Sequence, residues 1–423
     1  MKIKNVDMSY EDFKNLPKPK RLKPKKPNII FRTLLKIVSA GDLKATNFKC
    51  RKIGMKKLMD KEPALFIMNH SSFIDLKIAS TILYPRPFNI VCTDDGLVGQ
   101  SWLLRQLGCI PTKKFITDYL LFKDMKEMVK KGSSILMYPE ASYSFDGTST
   151  TLPDSLGKCV KLLDIPVVMI RTFGAFARDP LYNNLQLRQV DVSCEMRYLL
   201  SKDDIHEYSE EEINKIIAYQ FDFDNFKWQQ DNKIIIDEPF RADYLNRVLY
   251  KCPHCLKEGQ MVGKGITIKC NSCNATYELD EYGYLIAKNI DSKFNHVPNW
   301  FKWEREEARK EIENGTYKLE IDVEIRGLKD YKQLYNIGEG HLTHDINGFH
   351  LVGKNNSLDL VVPSSAQYSL YSDYYWYELG DMIAVSDGQV TYYCFPKNGE
   401  DVAAKTRLAV EEISKILKKT KSS

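Results

Sequence analysis

Between residues 64 and 221, apolar runs of strand length alternate with segments of helical periodicity, and this alternation constrains the fold most. The strand candidates are Ala64–Met68, Phe88–Cys92, Ser134–Tyr138, Val167–Thr172 and Gln189–Met196. The helix candidates are Phe73–Leu83, Gly99–Leu107, Asp118–Lys131, Ser155–Leu163 and Ser209–Phe221, the last opened by Glu210 to Glu212. A parallel strand pair needs a crossover long enough to hold a helix, so the pattern predicts an α/β layer with a mostly parallel sheet. Sites in such sheets gather beyond the strand ends. At 423 residues the chain has room for two or three domains.

The first of these strands runs into Asn69-His70-Ser71-Ser72-Phe73-Ile74-Asp75. Ser71 and Ser72 can cap the following helix, which puts His70 at the strand-to-helix junction and Asp75 in an early turn. A carboxylate there can accept from one ring nitrogen and leave the other as a base. Taken alone, the pair is weak evidence, because most histidines are structural or merely exposed. Three further blocks follow: Leu107-Gly108-Cys109-Ile110-Pro111-Thr112-Lys113-Lys114, then Tyr138-Pro139-Glu140-Ala141-Ser142-Tyr143-Ser144, then Ile165-Pro166-Val167-Val168-Met169-Ile170.

With all four blocks in order between residues 45 and 220, the chain resembles the glycerolipid acyltransferase superfamily, typified by 1-acylglycerol-3-phosphate acyltransferase. That family carries Asn-His-x-x-x-x-Asp, Gly-x-Ile-x-x-x-Arg, Phe-Pro-Glu-Gly-Thr-Arg-Ser and Val-Pro-hydrophobic blocks. The resemblance implies that His70 takes the proton of a substrate hydroxyl attacking an acyl thioester, while Asp75 orients the ring. It implies acyl-CoA or acyl-carrier protein as donor and a glycerolipid or lysolipid as acceptor. Asn69, Pro139 and Ser142 fall on motif positions, Gly108 and Lys114 where the family has its Gly and its phosphate-contacting Arg, and Glu140 on the Glu that helps bind the acceptor. Backbone N–H groups near the helix start are candidates for holding the intermediate oxyanion. No acyl-enzyme is required, so no cysteine need be a nucleophile.

One departure matters. The family's Gly-Thr-Arg is Ala141-Ser142-Tyr143 here, and neither Tyr143 nor Lys114 reproduces an arginine's bidentate grip on phosphate. Either Arg171 or Arg178 takes over, or the acceptor is not a lysophosphatidate.

Cys252-Pro253-His254-Cys255 and Cys270-Asn271-Ser272-Cys273 form two C-x-x-C knuckles with fourteen residues between them, the spacing of a four-thiolate zinc ribbon. Four thiolates close the shell, so the zinc is expected to be structural. Lys251, Lys257, Lys264 and Lys269 flank the knuckles, but a net charge of only +5 gives no general pull toward nucleic acid, and none is expected. The other six cysteines are scattered. The N-terminus lacks a signal-peptide pattern, which predicts a reducing compartment.

From Lys14 to Lys26, seven of thirteen residues are Lys or Arg, interleaved with Pro17, Pro19 and Pro24, so an extended basic arm is expected. A short amphipathic helix follows over Asn28–Ser39, and no run of eighteen apolar residues occurs. Arm and helix together predict attachment to an anionic membrane surface, placing the chain in the cytoplasm and peripherally on the inner face. Phe294–Asn314 reads as a linking helix. Beyond it lie strand candidates Lys318–Ile325, His341–His344, Gly348–Val352, Leu358–Val362, Ser369–Leu370, Tyr375–Glu378, Met382–Ser386 and Val390–Phe395, then a helix over Asp401–Lys418, a pattern similar to a PH or GRAM-type barrel. Tyr368, Tyr371, Tyr374, Tyr375, Trp376 and Tyr377 crowd one hairpin, where some must be core and an exposed aromatic edge would suit a lipid or peptide; His341, His344 and His350 read as structural.

The expected domains are a basic arm and membrane-contact helix (1–44), an acyltransferase domain (45–240), a zinc ribbon (246–290), a linking helix (291–317) and a PH/GRAM-like β domain (318–420). Two functional readings follow: an active acyltransferase, or a catalytically weak lipid- or partner-binding adaptor on the same fold.

Overall fold

The computed structural model describes residues 3–17, 21–115, 119–354, 358–399 and 401–422. Lys18 and Lys20 of the basic run, and Asp118 at the start of one expected helix, lie outside them. The chain divides into two compact units, one of residues 21–180 and 186–229, the other of 1–20, 181–185 and 230–423.

The chain begins with β1 (Asn5–Asp7) and α1 (Tyr10–Asn15), the latter capped by Ser9. Both belong to the larger-numbered unit and are described with it. From Arg21 the basic arm is extended, as its prolines require, and tied down. Arg21 pairs with Asp124, Lys25 Nζ donates to Gln106 Oε1 at 3.0 Å, and Lys26 Nζ donates to the Lys131 carbonyl at 2.8 Å. Next comes α2 (Ile29–Ala45), whose Asn28 cap accepts from the Ile30 N–H at 2.8 Å. It runs past the expected end at Ser39, through Gly41, to Ala45.

The 21–229 unit continues with β2 (Lys49–Ile53), β3 (Leu65–Met68), α3 (Asp75–Ile82), β4 (Phe88–Thr93) and α4 (Ser101–Gln106). After these come β5 (Cys109–Thr112), α5 (Tyr119–Lys130), β6 (Ser134–Met137), α6 (Leu156–Leu163), β7 (Val167–Phe173) and α7 (Ala175–Arg178). Then come β8 (Ser193–Leu200), α8 (Lys202–Glu207), α9 (Glu210–Phe221) and α10 (Asn225–Asp231), within which the unit ends at Gln229. The sheet order is β2-β8-β7-β3-β6-β4-β5, and every neighbouring pair is parallel except β7–β8. It is a mixed, mostly parallel sheet. All four residues of the central strand β3 are buried, as a strand covered on both faces demands. Leu65 and Ile67 join Met125, Met128, Val160, Ile213 and Ile217 in one core. The strands absent from the sequence pattern are both edges. β2 carries Lys49, Arg51 and Lys52 on exposed positions, while β5 contains Pro111, which only an edge accommodates. Because β3 to β7 run parallel, the loops that follow them all emerge at one end of the sheet.

The other unit holds an antiparallel four-stranded sheet in the order β12-β11-β10-β9, made of β9 (Met261–Lys264), β10 (Thr267–Cys270), β11 (Thr276–Leu279) and β12 (Leu285–Ala287). After α11 (Val297–Glu313) come β13 (Leu319–Leu328), β14 (Leu334–Asp345), β15 (Gly348–Gly353), β16 (Asp359–Pro363), β17 (Ser372–Trp376), β18 (Gly380–Ser386) and β19 (Thr391–Pro396). The last helix is α12 (Ala403–Ser422). The strands order as β16-β15-β14-β13-β19-β18-β17, so β13 is paired on both sides, and β1 adds in parallel to β14. Phe13 of α1 enters this core above Gly327, where any Cβ would stand 2.4 Å from its ring.

One strand, β17 over Ser372–Trp376, stands where two short ones were expected over Ser369–Leu370 and Tyr375–Glu378, and Tyr371, Tyr374 and Trp376 of the aromatic hairpin are buried. Trp376 stacks on Tyr393 at 4.4 Å and its Nε1 donates to the Tyr371 hydroxyl at 3.0 Å, so these rings are core. His344 is buried too, its Nδ1 2.9 Å from the Tyr317 hydroxyl and its ring stacked on Phe349. Among the described residues no helix is long and apolar enough to cross a membrane.

Candidate active site

His70 follows β3 directly, and the turn it opens is held by side chains accepting backbone N–H groups. Asp75 Oδ2 accepts from the Ser71 N–H at 2.8 Å and the Ser72 N–H at 3.1 Å, and lies 3.1 Å from His70 Nδ1. A buried carboxylate on two amide donors can only accept from the ring, so the proton sits on Nδ1 and the lone pair on Nε2. Glu140, in the loop after β6, accepts the His70 N–H at 2.8 Å with one oxygen and the Thr150 N–H at 2.8 Å with the other. Asn69 ties the turn to β7, since its Oδ1 accepts from the Thr172 N–H at 2.8 Å and its Nδ2 donates to Ser71 Oγ at 3.0 Å.

The His70 side chain remains 21% exposed. Burial holds its pKa below the ordinary imidazole range, against the raising effect of Asp75, and the nearby Lys114 ammonium lowers it further. The ring is therefore neutral near neutral pH, the state a base requires. Tyr138 and Tyr143 lie against it, with centroids at 4.2 and 4.0 Å, and Phe73 follows Tyr143 at 5.3 Å. Nothing in residue spacing signals this aromatic stack. Ala141 takes φ +54°, the left-handed region that favours glycine, at the position where the resembled motif has Gly.

The parallel sheet brings together His70 and Asp75 after β3, Lys114 after β5, Pro139, Glu140 and Ser142 after β6, and Arg178 after β7. Gly108 does not join them. It precedes β5 at the opposite strand end, with φ +89° and its carbonyl accepting from Asn89 Nδ2 at 2.7 Å. The Arg171 guanidinium turns to the carbonyl of Gln220, at the end of α9, and over the Phe223 ring. Arg178 is buried, with Nη1 3.0 Å from Asp179 Oδ2 and Nη2 3.9 Å from Asp42 Oδ2. Of the backbone N–H groups near the helix start, those of Ser71 and Ser72 are occupied by Asp75.

A second cluster lies in the other unit. The sulfurs of Cys252, Cys255, Cys270 and Cys273 all fall within 4.8 Å of one another, with Cys252–Cys273 and Cys255–Cys270 at 3.7 Å. These four thiols are close enough to hold a metal ion; His254 between them is exposed.

Residues 49–171 match the family model described as Acyltransferase. Among solved structures, the chain is similar to one described as the crystal structure of the 1-acyl-sn-glycerophosphate (LPA) acyltransferase, PlsC, from Thermotoga maritima. Identity is 14%, with 45% of this chain and 76% of that chain covered and a TM-score of 0.37. The stretch carrying His70, Asp75, Lys114 and Glu140 thus lies inside a segment similar to the Acyltransferase family.

Proposed function

We propose that the 21–229 unit moves a fatty acyl group from a thioester, acyl-CoA or acyl-carrier protein, to a hydroxyl of a glycerolipid or lysophospholipid. The observation that carries this reading is a neutral, partly exposed imidazole whose Nδ1 is fixed by an amide-held carboxylate. The acceptor hydroxyl gives its proton to His70 Nε2 as its oxygen bonds to the thioester carbonyl carbon. Collapse of the tetrahedral intermediate breaks the C–S bond, and the departing sulfur takes the proton back from the imidazolium. Asp75 keeps the ring aligned and stabilises its charged form. Lys114 attracts the acceptor phosphate as a point charge. With Arg171 and Arg178 engaged elsewhere, lysolipids with a substituted phosphate are expected to compete well with lysophosphatidate.

Attachment to an anionic membrane surface is part of this reading. Ile30 is 71% exposed on α2 and Trp102 66% exposed beside Phe31, an apolar face next to the basic arm. The four cysteines are assigned to a structural zinc. Thiolates about 2.3 Å from a tetrahedral ion stand about 3.8 Å apart, close to the 3.7 Å spacings here.

The deciding experiment measures thioester-dependent acylation across a lysolipid panel with both donor types, for the wild-type protein and His70→Ala. Turnover that His70→Ala abolishes supports the reading. No wild-type turnover with any acceptor selects the adaptor, the reading favoured by the two tyrosines packed on the imidazole.

A further inference from the structure

Asp75 is aimed entirely through one oxygen. Oδ2 takes His70 and two amides, while the buried Oδ1 has no hydrogen-bond partner among the described residues. The direction of the carboxylate, and through it of the imidazole, therefore depends on where the turn holds the Ser71 and Ser72 amides. Ser72 is the closing residue of that turn. It is buried, its Oγ accepts from the Ile74 N–H at 3.2 Å, and the same hydroxyl donates to Asp179 Oδ1 across more than a hundred residues of sequence. Asp179 is itself buried and gripped on its other oxygen by Arg178 Nη1 at 3.0 Å.

We propose that Asp179 is a positioning residue for the His70–Asp75 pair, acting through the Ser72 hydroxyl to fix the turn that aims Asp75. The charged groups around it are Arg178 on α7, Asp75 on α3 and, beyond Arg178, Asp42 on α2, which is itself paired with Lys77 of α3. Burial pushes the Asp179 carboxyl up to about 6, against the Ser72 hydrogen bond and the Arg178 charge, and the Asp75 charge adds to that push. A carboxylate kept in so unfavourable a place, between a serine of the His70 turn and a buried arginine, is more than a surface ion pair. The kinetic part of the inference rests on the acyl-transfer reading; the geometric part does not.

The test compares the full-length wild type, Asp179→Ala, Ser72→Ala and the double variant. The His70 ring pKa is followed by NMR without substrate, assigned by difference from His70→Gln, and kcat and KM are measured in the lysolipid assay. Loosening Asp75 removes part of what raises the His70 pKa, so each single variant should lower it further. Each should cut kcat by about 10–10²-fold, the scale of a small misalignment, with KM nearly unchanged. The double variant should be no worse than the worse single one, because both break the same hydrogen bond. Wild-type pKa and kcat in the single variants, even with lowered thermal stability, would overturn the proposal, as would additive losses in the double. If Asp179→Ala does not fold, Ser72→Ala alone decides by the same readouts. A wild type that transfers no acyl group while the His70 pKa still moves in the variants would sink the functional reading and leave the positioning role standing.

Discussion

The His70 turn and the cysteine knuckles, in different units of the chain, both point backbone N–H groups at atoms that carry or can take negative charge. At the turn the Ser71 and Ser72 amides hold one carboxylate oxygen, and that oxygen faces the ring of a side chain that stays partly exposed. At the knuckles the amides of His254 and Cys255 point at the Cys252 sulfur, Lys257 at Cys255 and Ala275 at Cys273, and the sulfurs face one another. The same device yields different outcomes because of what stands opposite it. An imidazole can pass a proton onward, whereas four thiolates around a metal ion would leave no open position for a reactant. One arrangement suits turnover and the other suits holding a fold together.

Crossed outcomes would break that contrast. The largest effect is expected at the knuckles, since a structural zinc contributes on the order of 10–16 kcal/mol of apparent binding energy in small metal-dependent modules. Cys252→Ser, or strong chelation, should release one zinc per chain and open the 246–290 segment to proteolysis, as metal analysis and limited digestion would report. His70→Ala should do the reverse, lowering turnover by about 10²–10⁴-fold with the melting temperature almost unmoved. Zinc loss without structural consequence, or a His70 variant that unfolds, would erase the distinction.

A third measurement sharpens it with a second histidine. His344, like His70, sits in aromatic surroundings with its pKa depressed by burial, here to about 4, but its hydrogen-bond partner is the Tyr317 hydroxyl. The unfolded chain protonates near the ordinary imidazole value of about 6.5, so stability should fall as pH drops from there toward 4. Burial alone would raise Glu411, but Arg305 and Arg407 hold it at about 2, so its contribution is lost in turn between about 4.5 and 2. Acid titration followed by circular dichroism should show both losses, and His344→Gln should remove the first without touching turnover. The smallest expected effect is at Ala141, where glycine relieves a left-handed backbone. Ala141→Gly should gain about 1 kcal/mol in chemical denaturation.

The elements with a local period were legible in the sequence. The α/β alternation, the His70–Asp75 turn and the knuckle spacing each announce themselves within a few residues. β5 was hidden by Pro111, and β14 was read only over its last residues because Gly338 and Gly340 interrupt its pattern. The Tyr138 and Tyr143 stack and the Ser72–Asp179 bond join residues some seventy to a hundred positions apart, where spacing holds no information. The Glu140 carboxylate was expected through resemblance, yet its grip on the His70 and Thr150 amides follows only from the fold.

β1 has a consequence for how this chain is made. Asn336 Nδ2 reaches Asp7 at 2.8 Å across 329 positions, and Phe13 fills the space above Gly327. At about 5–20 residues per second, a ribosome needs roughly 15–65 s to deliver β14 after β1 has emerged. For that interval the first strand and Phe13 have no native partner and stay exposed to chaperones and proteases. Trimming residues 1–27 to test membrane binding would strip a β-strand and a core aromatic from the unit that holds β14, so charge reversal at the exposed Lys23 is the cleaner probe.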